Sequence, residues 1–298
     1  MHILITGGTG LIGTAVCGVL HARGHQLTVL TRHDRTPDAG VTFVTALQDC
    51  TRPVDAVINL AGAGLADKRW SASYKREIVS SRIDLTRDLV DWMATRPEPP
   101  KRLISASAIG YYGASDEAVF TEASGAGEGF SATLCQQWEQ EATRASSAGV
   151  QVVTLRFGVV LAKQGGALGK MTQSFQVGVE SWLGSGRQWL SWIHLDDAVR
   201  IIEHAVFEAS PALVYNAVAP EPARHRELAR EVGRHSRPWI KLGVPASAAR
   251  LIAGQMAEEL LLSGQRVLPQ ALTAEGFQFH YPTLADALGH LQARQPSS

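Results

Sequence analysis

The stretch Thr6-Gly7-Gly8-Thr9-Gly10-Leu11-Ile12-Gly13 constrains this chain more than any other. It joins an apolar run, His2–Thr6, to a longer amphipathic run, Leu11–Arg23, and spaces its glycines as Gly7-x-x-Gly10-x-x-Gly13. The three glycines answer three needs. One makes a tight turn out of a strand, one lets backbone approach a pyrophosphate, and one lets the next helix pack on the strand. The helix that begins there offers N–H groups without intrahelical partners and the positive end of its dipole, both suited to phosphate. Leu11 and Ile12 open that helix, and with Thr9 they belong to the same expected phosphate-binding segment.

The rest of the first half alternates strand and helix patterns. Strands are expected at Gln26–Thr31, Val41–Val44, Val54–Leu60, Lys101–Ser107 and Val150–Phe157. Helices are expected at Ser73–Ala94 and Ser131–Ser147. Strands separated by helices of this length require crossover connections, and so a parallel sheet covered on both faces. The fold class expected is α/β, a doubly wound Rossmann sheet over residues 1–160, with return segments near 191–217. Past residue 160 the glycines at 165, 166, 169, 178, 184 and 186 read as long loops with a short helix. Helix is expected at Asp196–Glu208, a short strand at Leu213–Asn216, and a mostly helical tail from Ala246 ending in Leu284–Ala293. Residues 161–298 thus read as a smaller lobe with a C-terminal helical module. No internal repeat and no low-complexity tract interrupts this pattern.

Charge and cysteine content exclude several classes. Lys plus Arg is 28 and Asp plus Glu is 28 in 298 residues. That balance argues against a nucleic-acid protein held by phosphate neutralisation and against a polybasic membrane-surface protein. Cys17, Cys50 and Cys135 are far apart and odd in number, which reads as three reduced thiols rather than a disulfide framework. The chain shows no cationic segment followed by a long apolar stretch at its start, and no apolar run long enough to span a membrane. A cytoplasmic location is expected.

The end of the second strand bears on the cofactor. An acidic residue there would hold a ribose 2′-hydroxyl; this chain has Thr31-Arg32-His33. Arg32 can pair with a 2′-phosphate, so NADP is expected ahead of NAD, for which Asp34 leaves room. Asn59-Leu60-Ala61-Gly62-Ala63 ends the fourth strand. The small residues from Leu60 to Ala63 would let adenosine ribose and phosphates lie against backbone at the carboxyl edge.

At this point the sequence resembles the short-chain dehydrogenase/reductase superfamily, in its extended, epimerase-like branch. The glycine loop, Asn59–Gly62, Ser105-Ala106-Ser107 and Ile193-His194-Leu195-Asp196-Asp197 fall in the expected order. It is similar over nearly its whole length to an atypical subgroup of NAD-dependent epimerase/dehydratase proteins of unknown substrate. That likeness lies in Ala66–Trp70, Ser105–Gly113, Gly184–Asp197, Asn216–Pro222 and Gly264–Pro269. The resemblance implies a Rossmann domain, a nicotinamide cofactor and a short C-terminal module of unknown role.

The superfamily pattern adds a Ser or Thr, then Tyr-x-x-x-Lys on the following helix. Ser107 matches the serine. The helix from Phe130 holds neither tyrosine nor lysine, and setting Glu139 against the family's glutamate puts Ser131 and Cys135 at the two positions. General acid–base catalysis is worth roughly 10²–10⁴ in rate, so this departure weighs against the standard redox mechanism. Ser107 with Tyr111 or Tyr112 is the expected proton path. The resemblance places Arg82 where the extended branch often has an asparagine, next to the cofactor. Lys68 and Arg69 follow the cofactor loop and could hold an anionic group of the substrate. Arg187 and His194 are two further substrate candidates.

Three other signals fail. Gly165–Met171 lacks the spacing and the Ser or Thr of a phosphate-binding P-loop. His21 and His25 have no third ligand, so no metal is expected, and no G-x-S-x-G elbow supports a hydrolase. The partner expected is a small-molecule substrate, with no nucleic acid and no membrane; analogy allows a homodimer. Two function classes stay open: an NADP-binding oxidoreductase or epimerase-like enzyme, among them an isomerase that retains its cofactor, and a nicotinamide sensor without turnover.

Overall fold

The computed structural model describes residues 1–36, 40–163, 165–209, 211–236 and 238–292. The chain divides into two compact units. The first comprises residues 1–108, 133–156 and 199–215, and the second comprises 109–132, 157–198 and 216–298.

The first unit is built on a seven-stranded sheet. Its strands are β1 (His2–Thr6), β2 (Gln26–Leu30), β3 (Val41–Val44), β4 (Ala56–Asn59), β5 (Arg102–Ala108), β6 (Gln151–Phe157) and β7 (Val214–Ala217). Their order is β7-β6-β5-β4-β1-β2-β3, which reverses direction between β1 and β4. The paired strands from β3 to β5 all run parallel. Every residue of β1 and of β4 is buried, as expected of strands covered on both faces. This is the doubly wound sheet that the strand–helix alternation requires.

Helix α1 (Leu11–Ala22) buries Gly13, Val16 and Leu20 and ends before Gly24, whose φ of +81° suits a residue without Cβ. One core cluster packs Leu4, Val57, Leu103 and Val152 of the sheet against Leu89, Val90 and Met93 and against Ala142 and Ala145. The expected single helix over Ser73–Ala94 is instead two, α2 (Ala72–Ser80) and α3 (Ile83–Ala94). The physical reason is Ser81. Its hydroxyl donates to the Ile78 carbonyl at 3.1 Å and accepts the Ala63 N–H at 2.9 Å. Serine competes with helical backbone bonding in this way, and Arg82 leaves the helix at φ −112°, ψ −60°. Apolar periodicity continues across the break and does not register it.

Helix α4 (Phe130–Thr143) carries the next crossover, and α5 (Leu195–Phe207) precedes β7. Among the described residues no helix is long and apolar enough to cross a membrane.

Among its described residues the second unit holds four two-stranded ladders. Residues 159–161 pair with 192–194, 189–190 with 223–224, 179–183 with 240–244, and 119–120 with 266–267. The strand Val179–Leu183 lies inside the glycine-rich stretch expected to be loop and short helix; Gly178 and Gly184, both at positive φ, bracket it. Helices α6 (His225–Ser236), α7 (Ala246–Ala253) and α8 (Leu284–Gln292) follow. Trp192 is fully buried in a core with Leu190, Leu228, Val232, Leu288 and Leu291. The expected last helix residue, Ala293, lies outside the described residues.

Candidate functional site

The glycine segment forms a cradle that side chains would fill. Gly7 has φ +69°, and a Cβ on it would stand 2.6 Å from the Leu60 carbonyl carbon. A Cβ on Gly13 would stand 2.2 Å from the Gly7 carbonyl oxygen. Gly10 donates its N–H to the Gly7 carbonyl at 2.9 Å and caps α1 without any side-chain hydrogen bond. Thr9 and Gly10 are exposed, and Leu11 and Ile12 are half-buried. Backbone segments thus pack without side chains between them, and the start of α1, with no side-chain cap, suits an anion. A dinucleotide's pyrophosphate fits the residues present.

The β2 end adds a cation. Thr31 continues the ladder to Val44, and its hydroxyl bonds both the His33 carbonyl and the His33 N–H, which fixes the turn that carries Arg32. Arg32 is exposed and, among the described residues, in no ion pair. Next to this strand end lies a cavity of about 540 Å³, lined by Leu30, Ala46, Leu47, Leu85, Asp88 and Trp92 among others.

The β4 end is fixed by a buried polar network. Asn59, fully buried, accepts the Thr6 hydroxyl at 2.7 Å and donates to the Thr86 hydroxyl at 2.8 Å. Trp138 donates its indole N–H to the same Thr86 at 3.0 Å. Asn59 and Thr86 together thereby tie β1, β4, α3 and α4 into one hydrogen-bonded network, which makes it rigid. Leu60 and Ala61 follow, bonded back to Thr6. Gly62 has no side chain because Arg82 is there: a Cβ would stand 2.8 Å from the guanidinium carbon.

Arg82 is 9% exposed. It donates to the Ile78 carbonyl at 3.3 Å and lies over the Trp138 ring at 5.2 Å. Among the described residues it has no carboxylate partner. Burial pushes its guanidinium below the usual arginine range, which is the signature of a charge that lost its water without gaining a counter-ion.

Ser107, buried at the end of β5, donates its hydroxyl to Glu139 Oε1 at 2.6 Å. Arg156 of β6 grips the same carboxylate in a two-pronged contact, Nε to Oε1 at 2.9 Å and Nη2 to Oε2 at 2.8 Å. The sequence pattern aligns Glu139 with the family's glutamate and gives it no further role. The signal that could have found it was the pairing of one carboxylate on a helix with one arginine inside an apolar strand. Cys135, at the lysine position, is almost fully buried, and burial pushes its thiol up to about 11. It is a neutral thiol at physiological pH and replaces neither the charge nor the basicity of a lysine. Lys68 is exposed and pairs with Glu77 at 3.4 Å, and Arg69 is exposed beside it.

The remaining predicted residues belong to the second unit. Tyr112 is buried and donates its hydroxyl to Asn216 Oδ1 at 2.7 Å. Tyr111 is half-buried, edge-on to the Tyr112 ring. Ser131, at the tyrosine position, gives both its N–H and its hydroxyl to Glu259, at 2.9 and 2.7 Å, and Phe130 adds a third bond. Arg187 is exposed on its glycine-flanked loop. His194 is 1% exposed and accepts the Asp196 N–H on Nδ1 at 3.0 Å. Its Nε2 stands 3.1 Å from His290 Nδ1. His194, Asp196 and His290 place ligand atoms within 4.8 Å of one another. A backbone N–H on Nδ1 holds the neutral ring in its Nε2-protonated form, however, and that form donates to His290 rather than to a metal.

Comparison with known proteins agrees with this geometry. The NAD dependent epimerase/dehydratase family matches residues 3–217, and a domain of unknown function, DUF1731, matches residues 244–291. The chain is 38% identical over 300 residues to epimerase family protein Mb2239 of Mycobacterium bovis, covering 98% of each. It is 34% identical over 297 residues to human epimerase family protein SDR39U1, covering 98% of this chain and 100% of that one. The crystal structure of isoform 2 of the human protein with NADPH superposes with a TM-score of 0.90 at 32% identity. It covers 98% of this chain and 99% of that chain. The Rossmann sheet, the glycine cradle and these full-length relatives together place the chain in the NAD dependent epimerase/dehydratase family of the short-chain dehydrogenase/reductase superfamily, with a C-terminal DUF1731 module.

Proposed function

We propose that the chain is an NADP(H)-dependent oxidoreductase or epimerase-like enzyme acting on a small molecule. The observation that carries this reading is the cradle in which Gly7 and Gly13 admit no Cβ at the uncapped start of α1. The human relative described with NADPH supports it. Gly7, Thr9, Gly10, Leu11, Ile12 and Gly13 would hold the pyrophosphate. Arg32 would pair with the 2′-phosphate and distinguish NADP from NAD. Leu60 to Ala63 would lie along the adenosine half, where Leu30, Leu47 and Leu85 give the neighbouring cavity apolar walls. Arg82, buried without a counter-ion beside Gly62, would meet an anionic or hydroxyl-rich part of the cofactor. A bound nicotinamide supplies the hydride donor or acceptor. The chain supplies orientation and a proton path.

Ser107 is the proposed first group on that path. Its proton is committed to Glu139, so its oxygen is presented as an acceptor for a substrate hydroxyl proton. Tyr111 or Tyr112 is the proposed phenol on that path; Tyr112 donates its hydroxyl to Asn216 and Tyr111 stands edge-on to its ring. Lys68 and Arg69 are proposed for an anionic substrate group, and Arg187 and His194 for further contacts.

A second reading is a nicotinamide sensor without turnover. The buried, neutral Cys135 at the lysine position favours it. Paired titrations with NADPH and NADH, followed by tryptophan-to-nicotinamide energy transfer, test the cofactor reading. NADPH should bind more tightly, and Arg32→Ala should weaken it about 10- to 150-fold, the worth of one charge-assisted contact. No saturable binding by either nucleotide, in protein freed of retained cofactor, overturns it. Hydride exchange onto any compound of a carbonyl and sugar-nucleotide panel then eliminates the sensor.

A further inference from the structure

The strand Ile240–Val244 of the second unit is open along one side. It pairs in parallel with Val179–Leu183 and, among the described residues, with no other strand. Ile240 donates its N–H to the Gly178 carbonyl at 3.3 Å, and the Val244 carbonyl accepts the Gly184 N–H at 2.9 Å. Backbone groups of successive strand residues point to opposite sides. Ile240, Leu242 and Val244 therefore serve this ladder, while the N–H and C=O of Lys241 and Gly243 face away from it. An unpaired strand edge of this kind is a template for another strand.

Charge and proline commonly blunt such an edge. Here the strand's one charge, Lys241, is already paired with the buried Glu180 of the neighbouring strand at 3.3 Å. Ile240 and Leu242 are exposed on the same face, and Trp239 just before them is 77% exposed. Trp239 lies across the backbone of Gly178, where a Cβ would stand 1.9 Å from its indole nitrogen, and Val177 beside that glycine is 68% exposed. A second copy of this chain fits the edge. Two such strands, antiparallel about a two-fold axis at Leu242, set Lys241 against Gly243 of the second copy. That is the hydrogen-bonded pair which the outward backbone groups require. Leu242 then meets Leu242, and Ile240 meets Val244, so no like charges are opposed and the cross-strand pairs of the exposed face are apolar. The four exposed side chains would cover on the order of 900 Å² between two copies, the size of a reversible contact rather than a permanent one.

We infer that this edge is the surface through which two copies of the chain associate, by antiparallel pairing of Ile240–Val244 with itself. Val177, Trp239, Ile240 and Leu242 supply the apolar contact, and Lys241 and Gly243 supply the backbone bonds. None of these residues is among those proposed for cofactor or substrate, so association and NADPH binding are separable.

Sedimentation equilibrium of the full-length protein from about 1 to 200 µM, the range a contact of this size calls for, tests it. The protein should dimerise reversibly. Leu242→Glu and Leu242→Lys each set two like charges against one another and should each weaken dimerisation at least tenfold, with the melting temperature and NADPH binding of the unaltered protein. An equimolar mixture of the two should restore it, because only a two-fold axis at residue 242 opposes the two replacements. Leu242→Cys should cross-link the copies on oxidation, since opposed residues outside the hydrogen-bonded pairs stand about 4.5 Å apart at Cα, within disulfide reach. Leu251→Gln, at an exposed position of α7, is the control and should leave dimerisation unchanged. A chain that stays monomeric throughout the range overturns the inference and leaves the edge to a strand of another protein. Dimers that survive both charged variants, or that mixing them does not restore, overturn it equally and move the contact to another face.

Discussion

Ser107 of β5 donates its hydroxyl to Glu139 of α4 at 2.6 Å, and Arg156 of β6 holds that same carboxylate with two bonds. The three groups come from three elements and are all largely buried. Removing one partner of a buried ion pair strands the other, at roughly 3–5 kcal/mol. Glu139→Ala should therefore lower unfolding stability by about that amount, read by urea denaturation. Ser107→Ala leaves the ion pair in place and should cost only about 1 kcal/mol, the net worth of one hydrogen bond. It should nevertheless remove turnover once a substrate is found. A Ser107→Ala protein with unchanged turnover would remove Ser107 from the proton path and leave its structural bond intact.

The glycine cradle makes a sharper claim on backbone. Gly13→Ala must push a methyl group into the Gly7 carbonyl, and neither side of that contact is a flexible side chain. Gly7→Ala adds a positive φ to a clash with Leu60, and a non-glycine residue in such a region costs about 1–3 kcal/mol. Both variants should fold with reduced melting temperature and lose NADPH binding by more than tenfold. Gly18→Ala, where a Cβ meets nothing within 4 Å, is the control: it should leave NADPH binding unchanged and, as an alanine inside a helix, keep or raise the melting temperature.

Much of this was legible in the sequence, and the reason is local. A glycine triplet between a strand and a helix fixes its own backbone, and buried parallel strands such as Ile3–Ile5 and Val57–Ile58 announce themselves by composition. The break at Ser81 was not legible, because a serine inside an apolar periodicity signals nothing until Ala63 is brought to its hydroxyl. The partnership of Glu139 with Arg156 was hidden for the same reason, being a contact between two elements. The glycine-rich stretch misled in the opposite sense. Gly178 and Gly184 mark the ends of a strand that pairs with a segment near residue 240, and only that distant partner makes it a strand.

Arg82 separates stability from binding. A buried charge without a counter-ion is a cost to the fold, and replacing it by an apolar side chain of similar length is neutral or stabilising. Arg82→Met should keep or raise the melting temperature while weakening NADPH binding about tenfold. A structural arginine would do the reverse, and a fall in melting temperature with unchanged NADPH affinity would assign Arg82 to the fold alone.

Glu259 of the C-terminal module bonds Phe130 and Ser131 at the start of α4. Burial works against its ionisation, yet hydrogen bonds from Ser131, Gln255 and Phe130 hold its carboxyl below the usual glutamate range. It acts as an N-cap delivered from about 130 residues away in sequence, and loss of a cap costs about 0.5–2 kcal/mol. Glu259→Ala should destabilise by that amount, and Glu259→Gln, which can still accept, should recover part of it. Equal losses in the two variants would show that the charge rather than the hydrogen bonding matters.

Two buried histidines should contribute to the pH dependence of stability. Burial is the first cause that holds both His194 and His225 below the ordinary histidine value. Around His194, Asp196 and Asp197 raise it while His290 and His280 lower it, and burial prevails. The folded protein therefore keeps these rings neutral at a pH where the unfolded chain protonates them, near 6.5 and below. Stability is complete above that value and falls as the pH drops through it, by at most about 1.4 kcal/mol per pH unit for each ring. Protonation of His194 would place its second proton on Nδ1, against the Asp196 N–H that this nitrogen now accepts at 3.0 Å. His194→Asn can still accept the Asp196 N–H and should flatten part of the slope between pH 6.5 and 5. His290→Gln removes one of the lesser causes that lower His194 and should flatten it less. Urea unfolding at half-unit pH intervals reads all three proteins. A slope unchanged in His194→Asn would place the acid sensitivity elsewhere, with His225 the next ring to replace.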